Sequence, residues 1–148
     1  MAEYRLTTQA LMLSPLPLLL LPLALTGMAL SLASGGLVQP DWSLALLLAA
    51  LLARRSAWPW LLPALLLHDI ALYWTPWGVF PIAAMLPLLI IRLDAQLGPA
   101  LPQRLLMLIV VSLPMLVHGA GLMQWMLTLM LCIPLWYVLA QAYERKYV

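Results

Sequence analysis

The chain has 148 residues, of which 66% are hydrophobic and only 8% are charged, and its formal net charge is +2. Soluble domains carry about 25% charged residues, so this chain has too few polar groups to cover a globular surface in water. The composition predicts an all-α integral membrane protein in which residues 1–148 form a single transmembrane domain. The small positive charge is not evidence of nucleic-acid binding, because in a membrane protein the placement of charges matters more than their sum.

Charged residues and clusters of Gly, Pro and Trp divide the chain into six apolar segments, each of which is predicted to be a transmembrane helix. A bilayer-crossing helix needs about 20 residues, with a range of about 17–25, and the second segment is short by this measure. A signal peptide is the alternative for the first segment, which is longer than the usual h-region of about 7–15 residues. In chain order the segments are Leu11–Ser34, Trp42–Ala53, Trp58–Tyr73, Trp77–Ile91, Pro102–His118 and Leu122–Ala142.

The positions of the basic residues predict the topology of these spans. The connections after the first, third and fifth segments contain no Lys or Arg, whereas the connections after the second and fourth segments do. All seven basic residues therefore fall on one side, together with both termini, and the positive-inside rule makes that side cytoplasmic. The residues are Arg5, Arg54, Arg55, Arg92, Arg104, Arg145 and Lys146.

Aromatic residues are expected to anchor the spans at the two membrane interfaces, where amphipathic rings are favoured. The outer interface is predicted to hold Trp42, Tyr73, Trp74 and Trp77, and the inner one Trp58, Trp60 and Tyr143.

Prolines within the apolar segments predict kinked and partly broken helices around a cavity. Each proline lacks an N–H and leaves a carbonyl one turn earlier without its helical partner, and in lipid that carbonyl needs another donor. The first segment contains Pro15, Pro17 and Pro22 and is expected to be discontinuous.

Small residues predict close helix packing. Ala45, Ala49 and Ala53 recur every four residues in the second segment and so lie on one face, a spacing that lets helix backbones approach closely. Gly27 and Ser31, also small and four residues apart, predict the same close contact for the first segment.

Asp69 is the most informative residue, because it lies in an almost wholly apolar segment. A carboxylate at membrane depth costs about 2.5–3.5 kcal/mol on insertion scales, so such residues usually face protein or a water-filled cavity. The alternative is that Asp69 lies at the outer end of its helix and reaches water. Tyr73, four residues further on, is the expected local partner; His68 points about 100° away from Asp69, and His118 is expected at a similar depth.

Asp41 follows Pro40 and precedes Trp42 at the start of the second segment. A carboxylate in this position can accept hydrogen bonds from the first N–H groups of the helix and suits the positive end of the helix dipole. We expect a helix cap, with a direct binding role as the alternative. Neither a phosphate-binding loop, a metal-spaced Cys/His set nor a nucleophile elbow is present in the sequence, so no enzyme, metal site or cofactor is predicted.

Two short motifs make the chain resemble the MreD family of rod shape-determining proteins. They are Pro40-Asp41-Trp42, which opens the second span, and the apolar run Leu65-Leu-Leu-His-Asp69 in the third. The order and spacing of the spans are also similar over nearly the whole chain. The family usually has glycines close to the third-span Asp, whereas here Leu65–His68 precede it and the next glycine is Gly78.

The resemblance implies a non-enzymatic subunit of the bacterial cell-elongation complex in the inner membrane. It implies binding to a periplasmic MreC-like protein, near the RodA glycosyltransferase, its transpeptidase partner and MreB filaments, and it leaves a homodimer open. It also implies a fold similar to the substrate-binding subunits of vitamin-uptake (ECF-type) transporters. A small-molecule-binding transporter subunit is therefore the competing hypothesis, although the sequence suggests few polar groups to line such a site.

Overall fold

A computed structural model describes residues 15–35, 37–53, 58–98 and 101–144. Within these ranges every regular element is an α-helix and there is no β-strand, which confirms the all-helical prediction. The helices are α1 (Pro15–Ala33), α2 (Trp42–Ala53), α3 (Trp58–Tyr73), α4 (Phe80–Leu97), α5 (Leu101–Ser112), α6 (Pro114–Val117) and α7 (Leu122–Glu144).

Each described helix overlaps one of the six predicted segments, and two helices keep the predicted bounds. Helices α2 and α3 begin and end where predicted, but α4 begins at Phe80 rather than Trp77 and continues to Leu97. Trp74 ends the preceding helix with a positive φ of 56°, and Pro81 in the first turn of α4 suits a helix start. At the other end Gly98, with φ of 75°, terminates α4.

Prolines break one helix and are tolerated within others. The fifth segment is divided at Leu113, where Pro114 starts the short α6, and this confirms the expectation of a broken helix. The expectation of a discontinuous first segment is wrong for the described part of α1, which continues through Pro22. Its residues 11–14 lie outside the described ranges. The interiors of α3, α4 and α7 also contain a proline each, at Pro63, Pro87 and Pro134.

The short helix α2 is the centre of the bundle. It packs most extensively against α7 and also contacts α1 and α3. Ala45, Ala49 and Ala50 are all 0% exposed, and most of the leucines of α2 are buried as well. Ala45 and Ala49 of the predicted face are therefore buried and Ala53 is half-buried. The expectation that α2 packs through this face alone is wrong, because Ala50, which points about 100° away, is buried as well. A helix that is apolar on every side is typical of a fully enclosed core position.

Close contact between α1 and α2 depends on Gly27. A Cβ built at this glycine would lie 2.9 Å from the backbone nitrogen of Ser43, a distance that real side chains do not tolerate. The small residue thus allows the two backbones to approach, as predicted from the sequence for Gly27.

The exterior of the bundle is rich in large apolar side chains. Leucines 19, 23 and 32 in α1, and Met130 and Val138 in α7, are each about 60–70% exposed. Two helical stretches, Phe80–Leu97 and Leu122–Ala142, are long and apolar enough to cross a membrane. Three further apolar stretches, Leu19–Ala33, Trp42–Ala53 and Leu101–Val117, are shorter.

An ion pair joins α4 to α5 at the end of the bundle opposite the α3–α4 loop. Nη2 of Arg104 donates to both carboxylate oxygens of Asp94, at 2.8 and 2.6 Å. Arg92 lies near the same end. The other five basic residues on which the predicted topology depends, Arg5, Arg54, Arg55, Arg145 and Lys146, lie outside the described residues.

Candidate functional site

Asp41, His68 and Asp69 form a polar cluster inside the bundle, which we call the Asp–His–Asp cluster. Nε2 of His68 lies 2.8 Å from Oδ2 of Asp41, and its Nδ1 lies 3.2 Å from Oδ1 of Asp69. His68 and Asp69 are 0% exposed and Asp41 is 3% exposed. Asp69 therefore faces protein, as expected, and the alternative that it reaches water is wrong.

Asp41 caps α2, which confirms the prediction from the sequence. Its Oδ1 accepts hydrogen bonds from the backbone N–H of Leu44 at 3.0 Å and from the hydroxyl of Ser43 at 2.8 Å. Burial by itself would raise the pKa of the Asp41 carboxyl, but hydrogen bonding to and the charge of His68, with the Leu44 and Ser43 bonds, hold that pKa below its ordinary value. The cap uses Oδ1 and the contact with His68 uses Oδ2, so Asp41 caps α2 and contacts His68 at the same time.

Asp69 plays the equivalent role for α4, from a different helix. Its Oδ2 accepts the backbone N–H of Phe80, the first residue of α4, at 2.7 Å. Val79, which precedes α4, supplies no side-chain cap of its own. Gly78 makes this contact possible, because a Cβ there would lie 2.8 Å from Cγ and from Oδ2 of Asp69.

His68 bridges two carboxylates, each of which faces a helix N-terminus. Both ring nitrogens can donate at the same time only when the ring is an imidazolium. In that form one positive charge lies between two negative ones, and the positive ends of two helix dipoles lie on the far sides of the carboxylates. The arrangement satisfies the polar atoms internally and needs no water.

Tyr73 packs on the histidines, and the predicted pairing of Tyr73 with Asp69 is not what the structure shows. Its ring stacks on His118, with centroids 5.0 Å apart, and meets the His68 ring edge-on at 5.7 Å. Nε2 of His118 in turn lies 3.2 Å from the carbonyl oxygen of Trp77. These contacts hold the loop between α3 and α4 against the loop between α6 and α7.

Two hydroxyl residues in the site were missed by the sequence analysis, Ser43 and Thr128. The backbone N–H of Asp41 donates to Oγ1 of Thr128 at 2.9 Å, and that hydroxyl donates to the carbonyl of Gln124 at 2.8 Å. Ser43 had a local signal, since it lies two residues after a capping Asp. Thr128 had none, because it lies 87 residues from Asp41. With Thr128 the network joins α2, α3, α4 and α7.

The remaining candidate residues surround this network. Pro40 and the 43% exposed Trp42 flank Asp41 at the start of α2. Further along α2, the carbonyl of Ala45 accepts a hydrogen bond from the buried thiol of Cys132 in α7, at 3.4 Å, and Ala49 and Ala53 continue the helix towards its other end. These positions contribute to packing, and they lie apart from the polar groups.

The described contacts of the Asp–His–Asp cluster join the starts of α2 and α4 to α3. The structure brings the Ser43 hydroxyl to Asp41, on the opposite side of His68 from Asp69. That hydroxyl is 0% exposed, and its hydrogen bond goes to Asp41 and not to the imidazole. In the described part of the chain no group of three or more His, Cys, Asp or Glu side chains is arranged to hold a metal ion.

Comparison with known proteins adds no family assignment. No protein-family model, no curated protein and no solved structure matches the chain.

Proposed function

We propose that this chain is a non-enzymatic, inner-membrane scaffold subunit of the bacterial cell-elongation complex, of the kind represented by the MreD family. The observation that carries the proposal is the meeting of the two family-like motifs. Asp41 of the Pro-Asp-Trp motif and Asp69 of the His-Asp motif lie 28 positions apart in the numbering, yet both contact His68. Motif residues that hold one end of a bundle together suit a protein whose task is to present a rigid surface.

Passage through the membrane six times, with both termini in the cytoplasm, is part of this proposal. It is supported by two helices of sufficient length and apolarity, and by the large apolar side chains that cover the exterior. Exposed apolar area of this extent is rare on soluble monomers. The short helix α2 is then enclosed by α1, α3 and α7, a position in which a span shorter than the bilayer is tolerated.

We assign partner binding to the loop between α3 and α4, which we call the Trp loop (residues 74–79). Trp74 is 90% exposed and Trp77 is 75% exposed. The loop beneath them is fixed by the bond from the Phe80 N–H to Asp69 and by the His118 contact with the Trp77 carbonyl. Exposed Trp side chains on a preorganised backbone are the residues that most often dominate a protein–protein interface. The proposed partner is the periplasmic MreC-like protein; RodA, its transpeptidase partner and MreB would belong to the same assembly.

Affinity purification from native membranes in a mild detergent tests the proposal. The wild-type chain should recover the MreC-like protein of its host, and the double variant Trp74→Ala/Trp77→Ala should recover about tenfold less, as expected for loss of interface hot spots. Trp60→Ala is the matched control, because Trp60 is a 51% exposed tryptophan near the start of α3, at the other end of the bundle.

The result would refute the proposal if the double variant recovered the partner as well as wild type, or if wild type recovered no partner. A loss of membrane level in the double variant, with unchanged partner per molecule, would instead assign the two tryptophans to headgroup anchoring. The competing hypothesis of a solute-binding subunit would use Asp69 to bind the solute, but its carboxylate is 0% exposed and both of its oxygens are engaged, by His68 and by the Phe80 N–H.

A further inference from the structure

His118 follows the short helix α6 and contacts the Trp loop from outside the Asp–His–Asp cluster. Its side chain is exposed, and its Nε2 lies 3.2 Å from the carbonyl oxygen of Trp77. Its ring also stacks on the Tyr73 ring, with centroids 5.0 Å apart and an angle of 22° between the planes. One imidazole therefore contacts both the last residue of α3 and the middle of the loop that follows.

The Trp loop is strained at its first residue. The φ of Trp74 is 56°, which places it in the left-handed region that bulky side chains rarely adopt. Trp74 is 90% exposed, so its own side chain makes little contact that could offset this cost. Such strain persists only where neighbouring groups hold the backbone, and here those groups include the Asp69 carboxylate at the Phe80 N–H and the His118 ring at the Trp77 carbonyl.

Protonation of His118 strengthens both of its contacts. Histidine is the side chain that ordinarily changes charge between about pH 5 and 8. A neutral ring donates from Nε2 in only one of its tautomers, whereas an imidazolium always donates there. A hydrogen bond from a charged donor is stronger than one from a neutral donor, and a cation over an aromatic face gains a further attraction.

The other titratable groups near His118 belong to the buried cluster and to Tyr73. The Tyr73 ring meets His68 edge-on at 5.7 Å, and Asp41 and Asp69 contact His68 in turn. Residues 74–79 of the Trp loop and residues 119–131, which form the α6–α7 loop and the first turns of α7, contain no charged side chain. Since His68 is 0% exposed, His118 is the histidine that water reaches.

We propose that His118 is a pH-sensitive latch on the Trp loop, whose protonation fixes the loop and so raises its affinity for the periplasmic partner. When His118 is neutral it holds the Trp77 carbonyl less firmly, and the strain at Trp74 releases the loop more often. A loop that is ordered for a larger fraction of the time binds with a higher apparent affinity. The inference rests on the proposed function of the Trp loop, but the latch itself can be measured without a partner.

Thermal unfolding of the full chain in mixed micelles, at pH 7.5 and pH 5.5, measures the latch alone. Wild type is compared with His118→Gln, because a glutamine amide can donate to the Trp77 carbonyl but does not change its charge. Val117→Gln is the matched control, since it places the same amide at the adjacent position, which is 84% exposed, and keeps His118. Partner recovery from native membranes is then measured for the three proteins at both pH values, each relative to its own recovery at pH 7.5.

The charged form makes the stronger contacts in the folded chain, so the stability that His118 adds grows as the pH falls. The melting temperature of wild type minus that of His118→Gln should be about 2–4 °C larger at pH 5.5 than at pH 7.5, as expected for one strengthened contact in a chain of this size. Partner recovery should rise several-fold on acidification in wild type and in Val117→Gln, and should not rise in His118→Gln.

A melting difference that is equal at the two pH values would overturn the latch. Its role in partner binding would be overturned by an equal rise in His118→Gln, which would assign the pH response to the partner or to the buried cluster, or by no rise in wild type. Failure to recover any partner at either pH would instead refute the proposed function, and the melting temperatures would still decide whether the latch exists.

Discussion

Asp41 and Asp69 show how an apolar chain can keep two carboxylates in its interior. Each accepts the backbone N–H of a residue in the first turn of a helix, Leu44 in one case and Phe80 in the other. Hydrogen bonds to an ionised acceptor are stronger than neutral ones, and helix N-termini favour negative charge. His68 contacts both carboxylates, and Asp41 also accepts a hydrogen bond from the Ser43 hydroxyl. The desolvation cost of each carboxylate is thus offset by groups that the helices leave unpaired in any case.

Two substitutions of Asp69 should show how much of its contribution to stability comes from hydrogen bonding and how much from its charge. In Asp69→Asn the side-chain oxygen can still accept the Phe80 N–H, and the amide can donate to a neutral His68, so we expect a loss below about 1.5 kcal/mol in the free energy of unfolding. Asp69→Leu leaves the Phe80 N–H and the His68 Nδ1 unpaired. Each unpaired group should lower the free energy of unfolding by about 1–3 kcal/mol.

The measurement is reversible unfolding in mixed micelles, with partner recovery on the same preparations. Ile70→Leu is the control, because the neighbouring Ile70 is 47% exposed and should change stability by less than about 0.5 kcal/mol. Wild-type stability in Asp69→Leu would mean that the carboxylate makes no contribution inside the bundle.

Gly78 should tolerate no side chain. A methyl group there would overlap the Asp69 carboxylate and Cδ2 of Tyr73, each at 2.8 Å, and both neighbours are held by other contacts. Gly78→Ala should therefore cost about 1–3 kcal/mol, as overpacking does. Gly121→Ala, with open space around its Cβ, should be neutral or slightly stabilising. Thermal unfolding of the two variants side by side checks this, and equal melting temperatures would contradict the close approach at Gly78.

At the scale of the elements, the position of α2 decides the architecture. At about 1.5 Å per residue, its 12 residues extend about 18 Å, which is less than the hydrocarbon thickness of about 30 Å. Helices α1, α3 and α7 pack around it. A cap at Asp41 and close contact at Gly27 fix the end near the Trp loop.

Leucine substitutions within α2 test this central position. Ala49 and Ala50 are both 0% exposed, so Ala49→Leu and Ala50→Leu should each lower the free energy of unfolding by about 1–3 kcal/mol. From the sequence alone, Ala50→Leu would be the milder change, because its side chain points about 100° away from the alanine face. Ala95→Leu, at an exposed position, is the control. A neutral Ala50→Leu would show that α2 has one packing face after all.

At the scale of the whole molecule, the two ends of the bundle differ in their polar chemistry. One end holds the Asp–His–Asp cluster and the Trp loop. The other end holds the Asp94–Arg104 ion pair and Arg92. In the proposed topology the positive-inside rule would assign the end with Arg92 and Arg104 to the cytoplasm.

Cysteine labelling tests that orientation in intact cells. In a Cys132→Ala background, an impermeant maleimide should label Val38→Cys from outside, and should label Gln96→Cys only after permeabilisation. Both positions are exposed, and the native Cys132 is buried. Labelling of position 96 from outside, with position 38 protected, would reverse the orientation. Labelling of both from outside would refute the alternation of the spans.

The sequence by itself determined the helices and the local cap. Runs of apolar residues between charges and Gly, Pro and Trp clusters placed α2 and α3 at their observed bounds, because hydropathy and helix ends depend on neighbouring residues. The cap by Asp41 could be predicted for the same reason, since it acts within three residues.

Only the tertiary structure decided which polar groups meet. His68 reaches Asp41 across 27 positions, Thr128 reaches it across 87, and Asp69 caps a helix that begins 11 residues later. Such contacts follow from how α2, α3, α4 and α7 pack, and helices that are apolar on every side carry no pattern that selects their neighbours. For that reason the burial of Ala50 and the contact between Thr128 and Asp41 could not be predicted from the sequence.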